Sequence, residues 1–363
     1  MVYGAGKDLK TSGGGYSQTY QFVENCTFVK TVLMLIVVLY HSIVFWGGGW
    51  FSAFKPPEQI EPIKYFAKWL NSFHVYGFVL TSGYLYSFLR FEKGKYQKYG
   101  PFLKNKAKRL LIPYAFIAIV WVIPIGQVFF HNSVKDIVKG YLLGTGPSQL
   151  WFLLMLFGVF AIVWGLSEFI HKSVIGSILL SGFFYVIGYA GSHFIDNYFM
   201  IWMACLYLPL FILGMKYRDY HANGKLDRLS LYSLVCLVAL DIILFVLQQA
   251  IVQQSGTIYT LLNIPLEFLL HLVGGLASFV VLQKLANHVE WKESKLFMAF
   301  AKISLIVYLL HQQLVYITIA VFNDVVNPYI NMTINFVIAI AGAFIIAKLL
   351  MTNKYTRFLV GEK

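Results

Sequence analysis

The sequence predicts an all-α, polytopic membrane protein of about ten transmembrane helices with both termini in the cytoplasm. Three observations carry this. Hydrophobic residues make up 58% of the 363 residues and the mean hydropathy is +0.67, whereas charged residues are only 12%. A soluble domain is about 45–50% apolar and about 25% charged. Apolar runs near the ~20 residues needed to cross a bilayer recur along the whole chain. About 24 of the 29 Lys and Arg residues gather in the two tails and in alternate gaps between those runs, the pattern that marks cytoplasmic loops.

In order, residues 1–25 are polar and Gly/Ser-rich and read as a mobile cytoplasmic tail. The runs follow at 28–46, 69–90, 110–130, 150–170, 173–191, 198–215, 229–250, 258–284, 301–323 and 329–350, within one membrane domain over 26–352. Residues 353–363 form a second cytoplasmic tail. The first run is long enough to stay as an anchor, and no cleavable signal is visible. Gly47-Gly48-Gly49 and Pro56-Pro57 read as an outer loop, followed by a short amphipathic piece with Lys55, Glu58, Glu61, Lys64 and Lys68. The loop 91–109 runs into Pro113, which suits a helix's first turn. The gap between the fourth and fifth runs demands a tight hairpin. No separate soluble domain remains, so chemistry belongs within the bundle or at its rims.

Charge and cysteine narrow the function. Net charge is +13, and Arg90 to Arg109 alone holds eight basic residues and one acid, Glu92. That stretch either serves topology and attracts anionic lipid, or forms a surface for a cytoplasmic polyanion. Cys26, Cys205 and Cys236 have no CxxC spacing, so neither a zinc site nor a disulfide framework is indicated. No HExxH or comparable pattern points to a metal. Asn25 and Asn331 open glycosylation triplets that carry no weight here.

Intramembrane polar residues carry the rest, because ionisable groups at bilayer depth are expensive and mark functional paths. Lys30 and His41 are eleven residues apart on the first span. Eleven residues is about three helical turns with ~20° of drift, so both lie on one face, roughly 16 Å apart along the axis. His41 either takes a proton from a hydroxyl or makes an interhelical hydrogen bond. Lys30 is either a site residue or a lysine snorkelling to headgroups. His74 precedes Gly77, Thr81, Ser82 and Gly83, a face read mainly as packing. Trp151 opens the fourth span, where a lone Trp also fits the interfacial belt. Glu267 and His271 share a face of the eighth span. They form an oriented imidazole, a self-satisfied polar pair, or a carrier's proton relay. Tyr308 and His311 share a face with Ser304 on the ninth span, and Asp241 is a further buried acid on the seventh.

Several segments together resemble the acyltransferase-3 family of integral-membrane acyltransferases, in particular its sugar O-acetylase branch. They are Lys30-x10-His41, Phe78-Val79-Leu80-Thr81-Ser82-Gly83-Tyr84, Lys106-Ala107-Lys108-Arg109 with Pro113, and Leu150-Trp151-Phe152-Leu153. Ser304-Leu305-Ile306-Val307-Tyr308-Leu309-Leu310-His311 is similar to a late motif of that branch. Lys30 and Lys106 stand where many members have arginine, and Thr81 and Tyr84 vary the second motif. Lysine lacks arginine's planar fork, so donor contacts differ there.

The resemblance implies a membrane O-acyltransferase of the plasma membrane. It would move acetyl, or another short acyl group, from cytoplasmic acetyl-CoA to a hydroxyl of a cell-surface polysaccharide or its lipid-linked precursor. In this reading His41 is the base or a transient acyl carrier, and Lys30, the second catalytic candidate, fixes the donor near the inner mouth together with Arg109. Lys104, Lys106, Lys108 and Arg109 face the phosphates of coenzyme A, and Trp151 lines the tunnel. Ser82, Glu267, His271, Tyr308 and His311 are the substrate-side candidates. The partners implied are acyl-CoA, a glycan or lipid-linked sugar, the bilayer and other polysaccharide-assembly proteins, with no metal and no nucleic acid. The rival class is a carrier or flippase for a sugar or lipid-linked glycan. The absence of a visible internal repeat counts against it.

Overall fold

The computed structural model describes residues 14–222 and 230–362, and among them all regular secondary structure is helical. Ten long helices form the bundle. They are α1 (Gly14–Ile43), α2 (Glu61–Ser87), α3 (Tyr99–Ile117), α4 (Trp151–Lys172), α5 (Val174–Phe194), α6 (Ile201–Ala222), α7 (Leu231–Val252), α8 (Thr257–His288), α9 (Lys295–Phe322) and α10 (Pro328–Leu350). α3 continues through a π turn, Ala118–Val122, into a further helix, Ile123–Phe130. A short helix, Lys354–Leu359, follows α10.

Among the described residues, nine of these helices are long and apolar enough to cross a bilayer. α2 differs in composition, not in length. Its 27 residues span about 40 Å. It is the central helix, packed against α1, α6 and α8, so Ser72, His74 and Thr81 are buried in protein rather than facing lipid. α7 shows the opposite. Only Asp241 and Phe245 are buried on it, and Leu231, Val235, Ile242, Ile243 and Val246 point outward, as a lipid-facing helix requires. Around the centre, α3 lies on α4, α5 on α6, α7 on α8 and α10 on α9.

The α2–α6 crossing is set by two glycines. A Cβ on Gly83 would lie 2.1 Å from the Phe211 carbonyl oxygen, and one on Gly214 2.0 Å from that of Leu80. Only backbone fits on either side, so the helices touch main chain to main chain. The tight α4–α5 hairpin is a single residue, Ser173. Its Oγ accepts from the Gly176 N–H at 2.9 Å and caps α5.

Four local expectations are corrected. The tail expected through residue 25 is helical from Gly14, because Val23, Asn25 and Cys26 are buried in the bundle; residues 1–13 lie outside the described residues. No separate amphipathic piece precedes α2. Lys64 and Lys68 sit in its first turns, stabilised by Glu61 at 3.0 Å and by Gln249 of α7 at 3.0 Å. The supposed loop 91–109 ends early, since α3 begins at Tyr99 with Pro101 in its first turn, where proline costs nothing. Pro113 therefore falls inside α3, not at its start.

Pro113 has a structural consequence. It has no N–H to offer the Arg109 carbonyl one turn back. Gly361 closes on that carbonyl instead. Its φ is +80°, and a Cβ there would lie 2.9 Å from the Arg109 oxygen and 2.8 Å from the proline ring. Val360 beside it is fully buried. Segment 354–362 is thus seated against the basic end of the bundle.

Candidate active site

Two histidines from helices distant in sequence meet inside the bundle. His41 lies in the last turn of α1, half-buried, and His311 is fully buried in the middle of α9. His311 Nε2 is 3.1 Å from His41 Nδ1. His41 Nδ1 is also 3.0 Å from the Val37 carbonyl, and His311 Nδ1 is 2.6 Å from that of Tyr308. Trp50 covers His41, their ring centres 4.9 Å apart. Tyr40 carries the cluster on to His74, 5.3 Å between ring centres, whose Nδ1 is held 2.6 Å from the Leu70 carbonyl.

α9 is pinned where it presents His311. Gln149 Nε2 donates to the Leu309 carbonyl at 3.0 Å, and Trp121 Nε1 to that of Leu310 at 3.1 Å. The Tyr308 hydroxyl donates to the Gln149 carbonyl. Gln312 Nε2 donates to Ser148 Oγ at 3.0 Å, and Ser148 holds a φ of +53°. Strained backbone of this kind persists only when its surroundings over-determine it. The turn before α4 therefore acts as a clamp on α9.

Lys30 sits about 16 Å down the same face of α1, half-buried, within electrostatic reach of Arg109 and Glu362. Lys106 joins this group and lies over the Phe160 ring, 3.5 Å from its centre, with Tyr96 and Phe102 beside it. A cation over aromatic faces is stabilised without a counter-charge. Burial pushes the Glu362 carboxyl above the usual carboxylate range, partly offset by Arg109 and Lys30. The four basic residues of α3 do not act together. Lys106 and Arg109 are three apart and lie within electrostatic reach of Lys30, Lys106 half-buried and Arg109 exposed. Lys104 and Lys108 are four apart, exposed, and line an outward groove with Leu111, Ile112, Ala115 and Phe116.

The other expected residues are spread. Trp151 packs on Tyr207 (5.6 Å), which stacks on Tyr76 (4.8 Å), which stacks on His271 (3.8 Å). Glu267 accepts from Asn263 at 3.4 Å and does not pair with His271. Ser82 returns its hydroxyl to the Phe78 carbonyl in its own helix at 2.9 Å. Asp241 accepts from the Trp69 indole at 3.0 Å and joins α7 to α2. Sequence reasoning missed Gln149, Gln312 and Glu362. The glutamines carried a faint signal, being amides in otherwise apolar spans.

The site thus has an imidazole pair at depth and three basic residues toward one end. Among the described residues no group of three or more His, Cys, Asp or Glu could hold a metal. No curated protein and no solved structure matches the chain. A family model described as an acyltransferase domain matches residues 25–352, nearly the whole chain and every residue of the site but Glu362. The chain belongs to the acyltransferase-3 family of membrane acyltransferases.

Proposed function

We propose that this protein is a plasma-membrane O-acyltransferase with both termini cytoplasmic. It takes acetyl, or another short acyl group, from cytoplasmic acyl-CoA to a hydroxyl of a cell-surface polysaccharide or its lipid-linked precursor. One observation carries the reading. A helix face that starts among Lys30, Lys106 and Arg109 ends at an imidazole held by a second imidazole. Phosphates of the donor would dock on the cations, and its thioester arm would run between helices toward His41. The acceptor hydroxyl attacks the thioester carbonyl as His41 takes its proton. The C–S bond breaks, an ester C–O bond forms, and the proton passes to the departing thiolate. Exclusion of water around the Trp50-covered His41 spares the thioester from hydrolysis.

The test uses purified protein in liposomes with acetyl-labelled acetyl-CoA and crude glycan acceptor, following free thiol and label together. Thiol release matched by label on the glycan is expected. Intact thioester with glycan or lipid-linked sugar crossing the membrane would replace this reading with the carrier.

The split of the basic residues makes a second prediction. Lys30→Ala and Arg109→Ala each raise the KM for acyl-CoA about 10–100-fold, the worth of one charge-assisted contact. Lys104→Ala and Lys108→Ala, on the outward groove away from Lys30, change it less than about 2-fold. Initial rates against donor concentration separate the two pairs.

A further inference from the structure

The hydrogen bonds around the histidine pair leave one arrangement of protons. A backbone carbonyl only accepts, and His311 Nδ1 is 2.6 Å from the Tyr308 carbonyl. That nitrogen therefore carries the proton, which leaves His311 Nε2 with a lone pair. The same Nε2 is 3.1 Å from His41 Nδ1, and that nitrogen is 3.0 Å from the Val37 carbonyl. A proton on His41 Nδ1 satisfies both neighbours in one three-centred bond. The reverse arrangement, with His311 Nε2 donating to His41, sets a bare nitrogen against a carbonyl oxygen at both ends of the pair.

We propose that His311 is a positioning residue that holds His41 as the Nδ1–H tautomer, so that His41 Nε2 is the atom left free to take a proton. This deepens the acyltransferase reading and rests on it. The second nitrogen of a working imidazole is commonly fixed by a partner that sets tautomer and ring orientation. Here the partner is another imidazole, itself fixed by a backbone carbonyl, on a helix clamped by Gln149 and Trp121. His311 acts through His41.

The experiment compares His311→Gln with His311→Leu. The glutamine side chain reaches the position of Nε2 and can accept from His41 Nδ1, whereas leucine cannot. Thermal unfolding in detergent establishes that both variants are folded. The leucine variant should lose about 10–100-fold in kcat, the usual cost of removing such a partner, with the KM for acyl-CoA unchanged. The glutamine variant should recover most of that loss. Nitrogen-15 spectra of histidine-labelled protein, with His41→Ala to assign the signals, should show His41 protonated at Nδ1 in the wild type and in His311→Gln. A wild-type His41 protonated at Nε2 would overturn the proposal, as would equal losses in the two variants or a loss confined to KM. The spectra need no turnover. A wild type with the Nδ1–H tautomer but no acyl transfer would overturn the acyltransferase reading and leave this assignment standing.

Discussion

His41→Ala is expected to lower acyl transfer by about 10²–10⁴-fold, the usual contribution of a positioned general base. The fold should persist. His41 is half-buried, and its side chain bonds Val37 within its own helix and His311 alone outside it. The substitution does leave His311 Nε2 without its donor. An unmet buried acceptor costs about 1–3 kcal/mol, less than the ~5–15 kcal/mol net stability typical of a native protein. Initial rates of thiol release, read beside elution profiles in detergent, separate chemistry from folding. A well-folded variant within about threefold of wild-type rate would remove His41 from the chemistry.

Gly83→Val should act on folding rather than on rate. The first atom of any side chain at this position falls 2.1 Å from the Phe211 carbonyl oxygen, and that neighbour is backbone, so it cannot rotate aside. The reciprocal contact of Gly214 with the Leu80 carbonyl, at 2.0 Å, means that α2 and α6 must part along their whole crossing. Overpacking costs about 1–3 kcal/mol where side chains can adjust, and here none can. A loss of about 3 kcal/mol or more is expected, seen as little monodisperse protein and a much lower unfolding temperature. Gly165→Val, with open space around its position, should change neither.

The sequence makes the layout legible because lipid imposes a strict rule. A spanning segment must be long, apolar and satisfied within itself, and that rule is local. The tight hairpin between α4 and α5 and the shared face of Lys30 and His41 follow from spacing alone; that the hairpin is the single residue Ser173 does not. What sequence does not show is set by contacts between helices. His41 and His311 are 270 residues apart, and no period links α1 to α9. α2 is harder to read because its neighbours are protein, so Lys64 and Lys68 at its start resemble a surface piece. The basic run on α3 misleads for a simpler reason. Taken as a loop, its charges have no faces; once Pro101 is allowed into a first helical turn, Lys106 and Arg109 separate from Lys104 and Lys108.

The seating of Gly361 on α3 changes what donor affinity would measure. Because Pro113 leaves the Arg109 carbonyl open and Gly361 closes on it, Glu362 arrives within electrostatic reach of Arg109 and Lys30. If donor phosphates dock at Arg109 as proposed, they would meet the charge of Glu362 there. Their apparent affinity is then lowered by that charge, and Glu362 belongs in the account although it lies ten residues beyond the matched domain. Burial raises the carboxyl's pKa, so Glu362 is neutralised at a higher pH than a solvent-exposed glutamate. Mild acid would therefore favour the incoming anion.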